Sequence, residues 1–176
     1  MTITEALAEI KTIEKRIASK QEFVRNYMIR VETLKDPFEK DGGSEKAVNA
    51  ELQALSDLEE RLVSLRLAIQ TANEKTVVSV NGEERSIADW LVWRRDVAPT
   101  RERFLFELRS RLSAAREGVR RQNVNYIGNP QPDKPIDIVV NLDEAALNKD
   151  LEQIKDVLGQ LDGQLSVKNA TVMVAV

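Results

Sequence analysis

The chain has 176 residues, 42% of them hydrophobic, 31% charged and only 5% aromatic, and its formal net charge is -3. That length supports one ordinary domain with a largely aliphatic core, and the small net charge gives no global basic signal for nucleic acid. Cysteine and histidine are both missing, which removes disulfides, Cys/His zinc sites, thiol nucleophiles and any chemistry that needs imidazole. Carboxylate chemistry with a hard cation is left open.

No apolar run approaches the ~20 residues of a membrane-spanning helix. The start, MTITEALAEIKTIEK, is amphipathic and charged, unlike a secretory leader. A cysteine-free chain fits synthesis in a reducing cytoplasm.

Thr2 and Glu5 form the capping-box pattern T-x-x-E. Ile3, Ile10, Ile17, Val24 and Val31 recur every seven residues, with Ala6, Ile13, Lys20, Tyr27 and Leu34 three positions behind. This seam predicts a first helix over about 2–34 with coiled-coil-like packing. Lys20 interrupts it, either as a stem lying along the bundle edge or as a residue that sets register. Asp36-Pro37 ends the helix, because the residue before a proline avoids the α region. The stretch PFEKDGGS at 37–44 then reads as a loop. Ser44 is the expected N-cap of a second helix over about 45–73, with rows Val48, Leu55, Leu62, Ile69 and Leu58, Leu65, Ala72. Matching lengths and a short connection predict an antiparallel helical hairpin.

Residues 75–85 predict a β-hairpin, because the β-branched run Thr76 to Val80 meets Asn81-Gly82. Two strands alone are marginal, so the hairpin is expected to pack on the bundle or to pair with a further strand. Ser86 is the expected cap of a third helix over 86–122. Leu91, Ala98, Leu105, Leu112 and Val119 form its main row, Leu108 and Ala115 its partner row, and Trp90, Val97 and Phe104 an adjacent one. Pro99 falls inside this pattern. The apolar phase continues across it, which favours a kink over two separate helices.

Pro130, Pro132 and Pro135 predict an extended loop within 123–142, flanked by short strands at 124–127 and 136–140. Asn141 with Glu144 is a second capping pattern, opening a fourth helix over about 143–167. Its rows are Leu147, Ile154, Leu161 and Leu151, Leu158, Leu165. The apolar tail ATVMVAV at 170–176 is expected to add a strand to a sheet, in this copy or the next, since a bare edge of that kind aggregates. The expected fold class is mainly α: an antiparallel bundle of about four helices with coiled-coil-like seams, a small β-hairpin or sheet and a C-terminal β-strand, in a single domain 1–176.

Three stretches carry a resemblance to a known family: FVRNYMIRVE at 23–32, IQTANEKTVVSVNGEERSIADWLVWRRDV at 69–97 and DIVVNLDEAALNKDLEQIKDVLGQLDGQLSVKNAT at 137–171. In order and spacing they resemble the septicolysin-like family of small helical proteins of bacteria and phages. Pro99 and the Pro130–Pro135 loop depart from that pattern. The resemblance brings no catalytic residue with it, and the family name implies cytolysis.

Charge is unevenly placed. Residues 86–122 hold nine arginines, no lysine and five carboxylates, between two flanks that are each net acidic. Arginine suits bidentate pairing with carboxylate or phosphate. The acids interleaved with these arginines repel phosphate, which disfavours nucleic acid. Pairing with acids on neighbouring helices or subunits is the expectation. Trp90 and Trp93 are expected to cover the hairpin or to anchor an interface. The candidate interface comprises Trp90, Trp93, Arg94, Arg95, Arg101, Arg109 and Arg116, with Val172, Val174 and Val176 on the tail.

No catalytic, cofactor-binding or metal-binding residue emerges. Ser79, Ser110 and Ser113 have no base partner, and Gly42-Gly43 lacks the lysine and serine of a phosphate-binding loop. Asp143, Glu144, Asp150 and Glu152 read as caps and a solvated face. Gly159 and Gly163 read as a close helix approach or a frayed turn. A metal-dependent bundle enzyme needs carboxylates pointing inward, but the seams here are aliphatic.

The resulting expectation is a non-enzymatic, self-assembling structural protein without cofactor, small-molecule substrate or nucleic-acid or membrane partner. Its partners are copies of itself or other virion proteins. The placement in a phage virion assembled in the host cytoplasm, with bacterial cytoplasm as the alternative, comes from the phage-borne side of the resemblance. The alternative function is a membrane-active, cytolysin-like protein, for which the arginines and tryptophans of the third helix are suitable ingredients.

Overall fold

The structure, a computed structural model, describes residues 1–125 and 137–175. The elements are α1 (Ile3–Tyr27), α2 (Ser44–Lys75), β1 (Val77–Val80), β2 (Glu83–Ser86), α3 (Ile87–Val92), α4 (Ala98–Asn125) and α5 (Glu144–Thr171). The fold class is mainly α with one small two-stranded antiparallel hairpin, as expected. The chain divides into two units, one of Met1–Val77 with Leu165–Val176, the other of Val78–Gln164.

In the first unit the heptad seam packs as its spacing predicts. Ile3, Ala6, Ile10 and Ile13 of α1 are buried with Leu65 of α2, and Leu58, Leu62, Ile69 and Ala72 close around them. Each buried Leu or Ile contributes roughly 1.5–3 kcal/mol. The capping box forms: Thr2 Oγ1 accepts the Glu5 N–H at 3.2 Å, and the Glu5 carboxylate accepts the Thr2 N–H at 2.7 Å. Lys20 pairs with Glu51 at 2.6 Å, and Arg61 with Glu9 at 2.8 Å, which fits antiparallel helices. Lys20 is thus an ion-pair residue at the edge of the seam.

α1 ends at Tyr27, seven residues before the expected Leu34, so Val31 and Leu34 are exposed instead of seamed. Contacts from beyond the helix turn the chain. Phe23, Tyr27 and Phe38 form an aromatic triad with ring centroids 4.7 to 5.5 Å apart. The Asp36 carboxylate accepts the N–H groups of Phe38 at 2.8 Å and Ser44 at 2.9 Å, and the Ser44 hydroxyl at 2.7 Å. Ser44 is therefore the first residue of α2 and not its cap; Gly43 holds the cap position, and the side-chain acceptor comes from Asp36. Gly42 and Gly43 reach φ 98° and 91°, values that favour glycine.

These hydrogen bonds, the Ser44 hydroxyl foremost, pull the Asp36 carboxyl from 3.8 to about 2. A folded-state pKa below the unfolded one means the contribution is fully present above about pH 4. It is lost as pH falls through about 2. A carboxyl-detected NMR titration should give Asp36 a midpoint near 2, with the Ser44 amide shift following it. A midpoint near the ordinary 3.8 would mean the Asp36–Ser44 bonds do not persist in solution.

The tail pairs within its own chain. Val174 N–H donates to the Met1 carbonyl at 2.8 Å, Ile3 N–H donates to the Val172 carbonyl at 3.1 Å, and Thr2 and Met173 form an antiparallel bridge. The expected C-terminal strand is thus a single bridge to the N-terminus, separate from β1 and β2, and Val174 is buried against the α1 core.

In the second unit the hairpin turns on Asn81 (φ 53°) and Gly82 (φ 79°), the positive φ pair of a type I′ turn. Val78 and Val80 are buried. Ser86 caps α3, its Oγ accepting the Asp89 N–H at 3.0 Å.

Pro99 causes neither a simple kink nor a split. Residues Trp93–Val97 form a π-helical turn, in which Ala98 N–H reaches back five residues to the Trp93 carbonyl. Proline offers no N–H to the carbonyl four residues earlier, and its ring clashes with that group; widening the preceding turn relieves both problems. The extra residue shifts the phase by one position. Trp90 is followed on the buried side by Ala98 and Leu105, while Val97 and Phe104 of the expected row are exposed.

Ala98 and Leu105 pack with Leu147, Leu151 and Ile154 of α5, bordered by Trp93, Leu108 and Leu158. The cap of α5 is Asp143, whose carboxylate accepts the N–H groups of Ala145 and Ala146 at 2.9 and 3.1 Å, in place of the expected Asn141. Gly159 and Gly163 face open space among the described residues, so none of the described helices approaches closely there. Val124, expected in a strand, lies in α4, and residues 137–140 form no strand. The rest of the expected proline loop, 126–136, lies outside the described residues.

Candidate functional site

Trp90 and Trp93 wall one cleft of the second unit. Trp90 is buried, and its Nε1–H donates to the Val78 carbonyl at 3.4 Å. Trp93 meets it edge to face, with centroids 5.7 Å apart and planes at 85°. The Arg85 guanidinium lies 5.2 Å from the Trp90 ring centre, a cation–π contact. The cleft, about 220 Å³, is completed by Asn81, Arg101, Asp150 and Gln153. Its charges are matched internally: Arg85 pairs with Glu83, and Arg101 with Asp150 at 3.1 Å. It offers hydrogen bonds and an aromatic wall, but no nucleophile beside a base. Among the described residues no group of three or more acidic side chains is placed to hold a metal ion.

Most arginines of the basic segment find acids within the chain. Arg94 meets Asp162 at 2.7 Å, and Arg116 meets Glu144, both on α5. Arg95 makes two bonds of 2.8 Å to Asp96. Those bonds hold the Asp96 carboxyl below the ordinary range, and Arg120 and Arg121 do the same to Glu117. All of these pairs are solvent-exposed, where ion pairs stabilise little. Their effect is to use up the segment's charge.

The structure therefore separates the candidate interface residues. Trp90 and Val174 are buried in their own chain, Val172 is partly buried, and Trp93 packs beside the α4–α5 core. Arg94, Arg95, Arg101 and Arg116 are paired within the chain. Arg109 is exposed and has no ion-pair partner among the described residues, and Val176 lies outside them.

Two faces escaped the sequence reading. Val97, in the turn before α4, and Phe104 of α4 are exposed on one side, Phe104 by 57%. On α2, Leu52, Val63 and Leu67 are exposed on the side away from the Leu55–Leu65 seam, and Val63 and Leu67 line a shallow groove with Ser56, Glu59, Glu60 and Ser64. The signal for the second was present: positions 52, 56, 63 and 67 share one helical face, a second stripe behind the first. A third apolar feature is the irregular stretch after α1, where Met28, Ile29, Val31 and Leu34 are all exposed, Ile29 by 78%. No helix among the described residues is long and apolar enough to cross a membrane.

Comparison of the chain with protein-family models, with curated proteins and with solved structures found no match to any of them.

Proposed function

We propose that this is a structural protein that assembles with copies of itself, and, following the septicolysin-like resemblance, that the assembly belongs to a phage virion. The observation that carries the reading is the pair of exposed apolar faces, Leu52, Val63 and Leu67 on α2, and Val97 with Phe104 at the start of α4. Exposed apolar residues that line one side of a helix mark a contact site more often than scattered single residues do. The cleft beside the tryptophans supports no reaction class, so contact and not chemistry is the role assigned. Sedimentation velocity over a wide concentration range tests it. The mass should rise well above the 19.9 kDa of one chain as concentration increases. A single 19.9 kDa species at every concentration would remove the reading.

A second reading, membrane activity, is favoured by one feature: four large aliphatic residues, Met28, Ile29, Val31 and Leu34, exposed in seven consecutive positions. It predicts dye release from anionic vesicles that Ile29→Asp abolishes. Intact vesicles with the unaltered protein would dismiss it. The third helix no longer supplies a warrant, because Trp90 is buried and most of its arginines are paired.

A further inference from the structure

We infer that the assembly contact joins unlike faces: the Leu52–Leu67 face of α2 in one copy receives, from another, the face that runs from Val97, in the turn before α4, to Ala115 of α4. This rests on the assembly reading and names its partner surfaces. The two faces match in length. At 1.5 Å per residue, Leu52 to Leu67 runs about 22 Å and Val97 to Ala115 about 27 Å.

They also match in chemistry. The α2 face offers Leu52, Val63 and Leu67, with Glu59 and Glu60 among them. The facing surface sets Val97, in the turn before α4, and Phe104 and Ala115 of α4 along one side of the helix, with Arg111 between the last two; all four are exposed. Glu59, Glu60 and Arg111 are exposed and belong to no ion pair among the described residues. The helices as wholes carry the same bias. α2 has six carboxylates against four cations, and α4 has seven arginines against three glutamates.

Charge decides between like and unlike faces. Two α2 faces together would set Glu59 and Glu60 against their own copies, and two α4 faces would set Arg111 against Arg111. Such like-charge contact is costly as water leaves. Placing α2 on α4 brings the arginine to the glutamates and aliphatic residues to Phe104. An unlike contact leaves one copy with its α4 face free and the other with its α2 face free, so assembly continues until a ring closes or a filament grows.

Two half-blocked proteins test this. Val63→Asp/Leu67→Asp disables the α2 face, and Phe104→Asp/Arg111→Asp disables the α4 face. All four residues are exposed, and far-UV circular dichroism confirms that each variant stays folded. Each variant alone should be monomeric, with self-association weakened by more than about tenfold. An equimolar mixture should give a heterodimer and nothing larger, because one competent face of each kind is left.

Either variant assembling alone, or a mixture that stays monomeric while the unaltered protein assembles, overturns the unlike-face contact and leaves the assembly reading standing. A monomeric unaltered protein overturns both.

Discussion

Replacing Trp90 with alanine is expected to destabilise the second unit by about 3–5 kcal/mol, the cost of truncating a buried tryptophan. Three losses coincide there. The side chain vacates the core beneath β1, its Nε1–H no longer reaches the Val78 carbonyl, and the edge-to-face contact with Trp93 disappears. The hairpin has only four residues in each strand, too few to persist unsupported. Urea unfolding followed by Trp93 fluorescence gives the stability, and amide exchange at Val78 and Val80 gives the state of the hairpin. Trp90→Phe keeps the packing and loses the donor, so its cost should be much smaller, with a hydrogen-bond share of about 1 kcal/mol. If the alanine variant costs less than about 1 kcal/mol, Trp90 does not hold the hairpin on the helices.

Leu65→Ala should cost the first unit about 2–5 kcal/mol, whereas Leu67→Ala, two residues along the same helix, should stay within about 0.5 kcal/mol. The chemistry removed is identical. Leu65 is 0% exposed in the seam with Ile3, Ile10 and Ile13, and Leu67 is 57% exposed on the opposite side. Measurement at low protein concentration keeps association out of the stability. Equal costs at the two positions would mean that α2 is covered on both sides.

What could be read in advance was what is local and periodic. The Ile3–Ile10 and Leu147–Leu161 rows, the Thr2–Glu5 box and the Asn81-Gly82 turn each depend on neighbours within a few residues. The stops and phases depended on distant groups. Tyr27 ends α1 because Phe38 and the Asp36–Ser44 bonds draw the chain round, while the seven-residue repeat runs on to Leu34 undisturbed. Hydrogen bonds reaching back five residues leave no trace in apolar spacing, so the row from Trp90 to Phe104 looked continuous and was not. With the phase moved by one position, Phe104 leaves the core face, whereas Trp90, which precedes the widened turn, covers the hairpin, one of the two roles its position suggests.

The bridge between Thr2 and Met173 has a consequence for the order of synthesis. The first unit is interrupted: it begins with Met1, pauses at Val77 and resumes only at Leu165. A ribosome therefore releases α1 and α2 long before Val172 and Val174 exist to cover Ile3 and Ala6. The second unit is continuous from Val78 to Gln164 and can complete itself in the interval. The unit that starts first is then the last to be finished, and its closing step joins residues that are more than 160 positions apart across an already folded insert.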